Sequence, residues 1–192
     1  LVDGFVRVKG VPDSGISLKD VADLGMKQAG GSGPVLGRGA SAISSLAPGF
    51  AAHLAEVKVD EATGKVEIIN YAAAQDVGFA INPAAVEGQI HGGVAQGIGW
   101  ALYEGIDYSD DGAPDASTLL DYTLPRARMI PPIDVLLVEV ASEEGPYGAK
   151  GIGEPPAIPG AAVIANAVKD ATGTRLTDLP ITPAAVLAAI PE

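Results

Sequence analysis

The sequence predicts an α+β fold, a mixed sheet with a β-hairpin and packed helices, on three observations. Ala55, Val57 and Val59 alternate with charged residues, and the turn DEATGK leads into Val66, Ile68 and Ile69, which is the pattern of a hairpin. Proline-led helix starts occur at Asn82–Pro83 and Thr182–Pro183. An alanine-rich stretch from Gly160 to Thr172 has helical composition and closes on Gly173.

In chain order, Ser17 and Asp20 with Leu18, Val21 and Leu24 predict a capped helix ending near Gly30 and Gly31. The segment GGSGPVLGRGASAISS reads as loop, and the hairpin begins at His53. At Asn82 the side chain can accept from an orphan amide, and Pro83 pre-sets the first helical φ, so a helix is expected from there to about Tyr103. That helix carries Gly88, Gly92, Gly93, Gly97 and Gly99, each costing up to about 1 kcal/mol relative to alanine, so something must offset them. DYSDDGAPDAS reads as a polar turn, and IDVLLVEV from Ile133 to Val140 as a buried strand. No repeat or linker divides the chain, so residues 1–192 read as one α+β segment, with 51–192 the better-defined part.

Composition bounds the chemistry. With 47% hydrophobic residues the 192-residue chain can bury a core, and 24 acidic against 12 basic side chains leave no phosphate-neutralising surface, so no nucleic acid is expected as partner. Zero cysteines exclude disulfides, thiolate catalysis and an iron–sulfur centre held by this chain. No apolar run approaches the roughly 20 residues of a membrane span, and the start LVDGFVRVKG lacks the regions of a signal peptide, so a soluble, cytoplasmic protein is expected. A chain that opens on Leu1 suggests processing, truncation or a start inside a longer polypeptide.

Familiar catalytic devices are missing. There is no phosphate loop, GSGPVLG misses the dinucleotide spacing, and GASAI is only half of a nucleophile elbow. His53 and His91 lie far apart with no H-E-x-x-H, so no metal site made by this chain is expected. Two stretches stay open. In GQIHGGVAQGIGWAL the glycine spacing suits close helix packing, or bare backbone against a flat or phosphate-bearing ligand with Gln96 supplying an amide. In GPYGAKGIGEPPAIPG, Glu154 is either a solvated loop residue or a pinned base. Pro155 biases it toward an extended backbone, the glycines allow tight turns, and Ile152, Pro155, Pro156 and Ile158 would desolvate the carboxylate and raise its pKa. Lys150, if close, would oppose that rise.

Three ordered motifs, DVGFAINPAAVEGQIHGGVAQGIGWALYE, DYTLPRA and GPYGAKGIGEPPAIPGAA, resemble the C-terminal part of the molybdenum-binding subunit of the xanthine dehydrogenase, aldehyde oxidase and carbon monoxide dehydrogenase family. The likeness runs from about His53 to Ile190 and implies the C-terminal molybdopterin-binding domain of a molybdenum hydroxylase. It assigns Glu154 as the base that takes a proton from a metal-activated, water-derived hydroxyl, in a reaction that passes hydride to the cofactor. It also places Gln96, Gly93, Gly97, Gly151 and Gly153 at the cofactor.

The cofactor implied is molybdenum-molybdopterin, in its plain or its cytosine dinucleotide form, with 2Fe-2S and FAD only in partner chains or modules. The partners implied are the rest of the molybdopterin-binding subunit, iron–sulfur and flavin subunits or domains, and a small-molecule substrate. The family's upstream glycine-phenylalanine and arginine-glycine motifs are not in these residues, so the substrate stays open among purines, aldehydes, N-heterocycles and carbon monoxide, and an isolated fragment is expected to be inactive. The competing reading is a non-catalytic assembly domain that keeps the fold and uses the glycine-rich helix as a subunit contact.

Overall fold

The computed structural model describes residues 3–11, 13–27, 33–34, 36–40 and 45–190. The chain divides into two compact units, Leu1–Ala42 and Ile43–Glu192. In the first, strand β1 (Phe5–Arg7) pairs antiparallel with β2 (Gly15–Ser17), which runs straight into helix α1 (Leu18–Lys27). Ser17 caps that helix: its hydroxyl accepts from the Asp20 N–H at 3.0 Å and donates to the Asp20 carboxylate at 2.6 Å. The predicted helix end at Gly30 and Gly31 lies outside the described residues.

The second unit is built on a three-stranded mixed sheet in the order β3 (Ala51–Val59), β4 (Val66–Asp76), β5 (Ile133–Val138). β3 and β4 form the predicted antiparallel hairpin, and β5 joins β4 in parallel. A bulge between Glu56 and Val57 sets Ile68 opposite Val57 but Asn70 opposite Glu56, leaving Ile69 as the extra residue. The doublet Ile68–Ile69 therefore does not put both side chains inside: Ile68 is buried and Ile69 turns outward. After the bulge Tyr71, Ala73 and Gln75 resume the buried face.

The expectation of a buried strand over Ile133–Val140 needs correction. β5 ends at Val138, and its residues alternate half-buried and exposed, with Leu136 63% exposed. Among the described residues it has a strand partner on one side only, and Ile133, Val135 and Leu137 pack against the core, so the strand buries one face while Asp134, Leu136 and Val138 point outward.

Helix α2 (Pro83–Leu102) begins as expected, with Asn82 accepting from the Ala85 N–H at 3.1 Å and proline in the first turn. Ile90, Val94, Ile98, Ala101 and Leu102 form its inward stripe at helical spacing and meet Val66, Ile68, Tyr71 and Ala73 of β4 within one hydrophobic core. Full burial of each of the larger aliphatic side chains contributes about 1.5–3 kcal/mol. Helix α3 (Gly160–Thr172) adds Ile164 and Val168, and its left-handed closing residue is Gly173, as predicted. The short helix α4 (Pro183–Ala189), capped by Thr182, adds Val186. Among the described residues no helix is long and apolar enough to cross a membrane.

Candidate active site

The segment from Gly145 to Gly160 is held at both ends by contacts that its local sequence does not display. At the upstream end Pro146–Gly148 makes a single 3-10 turn in which Tyr147 adopts φ 58° and Gly148 φ 80°. This aims the Gly148 carbonyl at two donors, the N–H groups of Phe79 and Ser142, each at 3.0 Å. The Lys150 N–H donates to the Val77 carbonyl at 3.0 Å. Gly78, at φ +65°, sits so close to this strap that a side chain there would run into the Gly148 carbonyl and Lys150.

The Lys150 ammonium lies 2.6 Å from the Asp76 carboxylate, and both side chains are less than a tenth exposed, at 9% and 7%. Burial pushes the Asp76 carboxyl up, but hydrogen bonds from Lys150 and the Gly78 N–H outweigh that and hold it below the usual carboxylate range. Lys150 is thus committed to Asp76 rather than to Glu154, the possibility that its position in the sequence had left open.

At the downstream end Pro156 and Ala157 are buried against α2. A methyl at Gly93 would come within 2.7 Å of the Pro156 Cβ, and one at Gly97 within 2.8 Å of the Gly160 Cα. The glycines at 93 and 97 are therefore consumed by packing of the chain on itself, which lets α2 and the start of α3 touch backbone to backbone. The open backbone expected at those two positions is filled by Pro156, Ala157 and Gly160.

Glu154 lies between the two ends. Its carbonyl accepts from the Ala157 N–H at 3.0 Å, which fixes the turn, while Gly151 and Gly153 just before it have open space where side chains would be. The sequence predicted that apolar neighbours would screen this carboxylate from water. They do not: Glu154 is exposed, Ile158 is 73% exposed on the surface, Ile152 is half-buried, and Pro156 turns inward toward Gly93. Pro156 anchors the loop to the helix instead of covering the acid.

The exposed face of α2 carries Gly88, Gly92 and Gln96 at four-residue spacing. Neither Gly88 nor Gly92 has any atom within 4 Å of the place a Cβ would occupy. A side-chain-free strip that ends in an exposed amide fits the close approach of a flat cofactor, and the glycines at 151 and 153 leave a second open stretch of backbone. The residues present fit a pterin in this sense. Among the described residues no three metal-ligating side chains converge, so a metal here would be carried by its cofactor.

Two further relationships escaped sequence reasoning. The Asp76–Lys150 pair joins residues 74 apart, and the only signal was that each belongs to one of the conspicuous motifs. Likewise the Tyr122 hydroxyl of DYTLPRA donates to the Glu104 carboxylate at 2.6 Å. Glu104 in turn occupies the space beside Gly99. The three motifs are thereby gathered around one helix.

A groove of about 230 Å³ opens between the first turns of α2 and the loop, lined by Phe79, Ile81, Ala85, Gln89, Lys150 and Ile152 among others. A larger cavity of about 660 Å³, bordered by Leu102, Arg126, Arg128 and Ile181, includes none of the predicted site residues.

Residues 2–131 match the family described as Molybdopterin cofactor-binding domain. The chain belongs to that family. It is a molybdopterin-binding domain of the molybdenum hydroxylases, as the three motifs implied. A putative xanthine dehydrogenase molybdenum-binding subunit of Escherichia coli (strain K12) is 36% identical over 185 residues, which cover 95% of this chain and 25% of that protein.

The structure of quinoline 2-oxidoreductase from Pseudomonas putida 86 superposes with a TM-score of 0.78 at 31% identity, over 98% of this chain and 25% of that one. CO dehydrogenase from Oligotropha carboxidovorans gives a TM-score of 0.83 at 27% identity, over 96% and 24%. The chain spans a quarter or less of the length of curated relatives it matches, 25% of one and 15% of another. The family match includes Gly93, Gln96 and Gly97 and stops before Glu154.

Proposed function

We propose that this molybdopterin-binding domain supplies the general base and one wall of the cofactor site of a molybdenum-dependent oxidoreductase that hydroxylates its substrate oxidatively with oxygen from water. The observation that carries the reading is the arrangement of Glu154. It is a lone carboxylate held out from a loop that is tied down on both sides, with unobstructed backbone next to it at Gly151 and Gly153.

When bound, the molybdenum-molybdopterin cofactor, in its plain or cytosine dinucleotide form, supplies the two-electron acceptor for the hydroxylation. The residues of this chain have three tasks. Glu154 accepts at a carboxylate oxygen the proton that the water-derived oxygen loses as it attacks an electron-poor carbon. Gln96 offers a neutral amide, donor and acceptor, to the polar edge of the pterin, while Gly88 and Gly92 allow that edge to approach. Gly93 and Gly97 act indirectly, by seating the Glu154 loop on α2.

A base works best when it is desolvated, and Glu154 is exposed in this chain. The surface that dries the carboxylate therefore belongs to the remainder of a subunit of the relatives' length, which also sets the choice among purine, aldehyde, N-heterocycle and carbon monoxide. Iron–sulfur and flavin groups reside in partner chains or modules, and the setting is cytoplasmic.

Glu154→Gln in the intact enzyme tests the reading. The variant should keep its molybdenum and pterin and lose turnover by about 10²–10⁴-fold or more. Full turnover with cofactor retained rejects Glu154 as the base, and a purified native enzyme without stoichiometric molybdenum rejects the whole reading in favour of an assembly domain.

A further inference from the structure

We propose that the buried Asp76–Lys150 ion pair is a positioning clamp that fixes Glu154 for proton transfer. This rests on the reading of Glu154 as the base. Asp76 is the last residue of β4, and through its other carboxylate oxygen it accepts from the Gly78 N–H at 3.0 Å, so its own direction is set by the strand end. The clamp is therefore anchored in the sheet, and Lys150 carries that anchorage into the loop. Backbone bonds from Lys150 to Val77 and from Phe79 to Gly148, each 3.0 Å, lie on either side of the pair and extend the seam.

Only Gly151, Ile152 and Gly153 separate Lys150 from Glu154. On the other side two residues separate Glu154 from Ala157, which packs on α2 beside Gly93. Two glycines in the three residues before a catalytic carboxylate would leave its backbone loose on that side. Anchors at Lys150, four positions before it, and at Pro156 and Ala157, two and three positions after it, restrict that freedom without placing any side chain in the path of the cofactor.

A buried ion pair is weak evidence for net stability, because desolvating two charges offsets most of their attraction. Its placement here is better explained by geometry. Misplacing a reacting group by about 1 Å can cost on the order of 100-fold in rate, so a clamp at this point affects kcat far more than substrate affinity. It also keeps the Lys150 ammonium engaged with Asp76 and away from Glu154, whose basicity a nearby cation would reduce.

The test uses the molybdenum-loaded enzyme that carries this chain, with Lys150→Met and the paired change Asp76→Asn/Lys150→Met. The pair removes both charges and leaves neither one buried alone, so it carries the test if the single variant does not accumulate folded. Per molybdenum, kcat should fall about 10- to 100-fold with KM within about twofold. Introduced on top of Glu154→Gln, the same changes should cost nothing further, because the clamp acts through that carboxylate.

Amide hydrogen exchange supplies a readout independent of turnover. Exchange at positions 79 and 150 should rise at least about tenfold while the amides of Val94 to Ile98 keep their protection. An unchanged kcat per molybdenum overturns the proposal, whether exchange stays as it was or rises everywhere together. So does a full additional loss in the Glu154→Gln background. If Glu154→Gln alone keeps turnover, the base assignment fails first, and unchanged exchange at 79 and 150 would show separately that the pair does not hold the loop.

Discussion

Gly97 and Gly160 meet backbone to backbone: a methyl placed on either would fall within 3 Å of the other's Cα, at 2.8 Å from Gly97 and 2.5 Å from Gly160. This contact joins α2 to the first turn of α3 and offsets the helix propensity that the glycines of α2 forfeit. Gly97→Ala should therefore destabilise the fold by about 1–3 kcal/mol through overpacking against backbone that cannot yield. Gly88→Ala, which adds a methyl to open space, should be neutral or stabilising by up to about 1 kcal/mol. Urea midpoints of the two variants check the contrast, and a loss of stability at 88 equal to that at 97 would show that the two faces of the helix have been misassigned.

The open strip has the opposite signature. Gly92→Leu leaves the core untouched and fills the place proposed for the pterin edge, so the variant should melt like the parent without cofactor while retaining less molybdenum after purification. Gln96→Leu should do the same more mildly, since it removes hydrogen bonds but little space. Metal analysis beside a thermal melt decides the point; full molybdenum content in both variants would place the cofactor elsewhere.

Tyr122 and Glu104 tie the second motif to the end of α2 by a hydrogen bond of 2.6 Å. The bond to the Glu104 carboxylate raises the Tyr122 pKa above its ordinary 10.0. Tyr122→Phe should remove one late-titrating phenol from a spectrophotometric titration and lower the melting temperature, with the sheet's circular dichroism intact. An unchanged titration curve would mean that the bond is not made in solution.

Acid sensitivity should arise at His53. Burial lowers its pKa from the ordinary 6.5, opposed in part by the Gln75 side chain, and its Nδ1 faces the Tyr71 hydroxyl at 2.9 Å. Burial also pushes the Tyr71 pKa up to about 12, so the phenol keeps its proton throughout this range. The folded state thus prefers neutral His53, and below pH 6.5 the unfolded chain binds the proton first. Stability from this group is complete above 6.5 and is lost as the pH falls through the lower folded value. Melting temperatures of the parent should decline over that interval more steeply than those of His53→Gln; parallel curves would assign the acid response to other groups.

Much of the architecture was legible because it rests on local chemistry. Asn82–Pro83 and Thr182–Pro183 cap helices wherever they occur, Gly173 ends one, and the alternation around DEATGK makes a hairpin, so these elements fall where expected. The run IDVLLVEV misled because Val135 to Val138 is apolar on both faces and hides the period of two, which Asp134 alone betrays within the strand, and among the described residues nothing buries Leu136. The boundary between Ala42 and Ile43 falls inside the glycine- and serine-rich stretch GGSGPVLGRGASAISS, which read as a loop within one segment and not as a division between two units.

For the site, the candidate residues were legible from the chain alone, since a carboxylate among glycines and prolines and an amide on a glycine-rich helix are visible as residue types. What surrounds each of them is visible only in the tertiary structure. It turned Pro156 inward and left Glu154 in the open, spent Gly93 and Gly97 on packing while keeping Gly88 and Gly92 bare, and paired Lys150 with Asp76. The physical reason is that burial and charge pairing are properties of what lies across from a residue, and across from the 145–160 loop lie a strand end and a helix face more than fifty residues away in the chain.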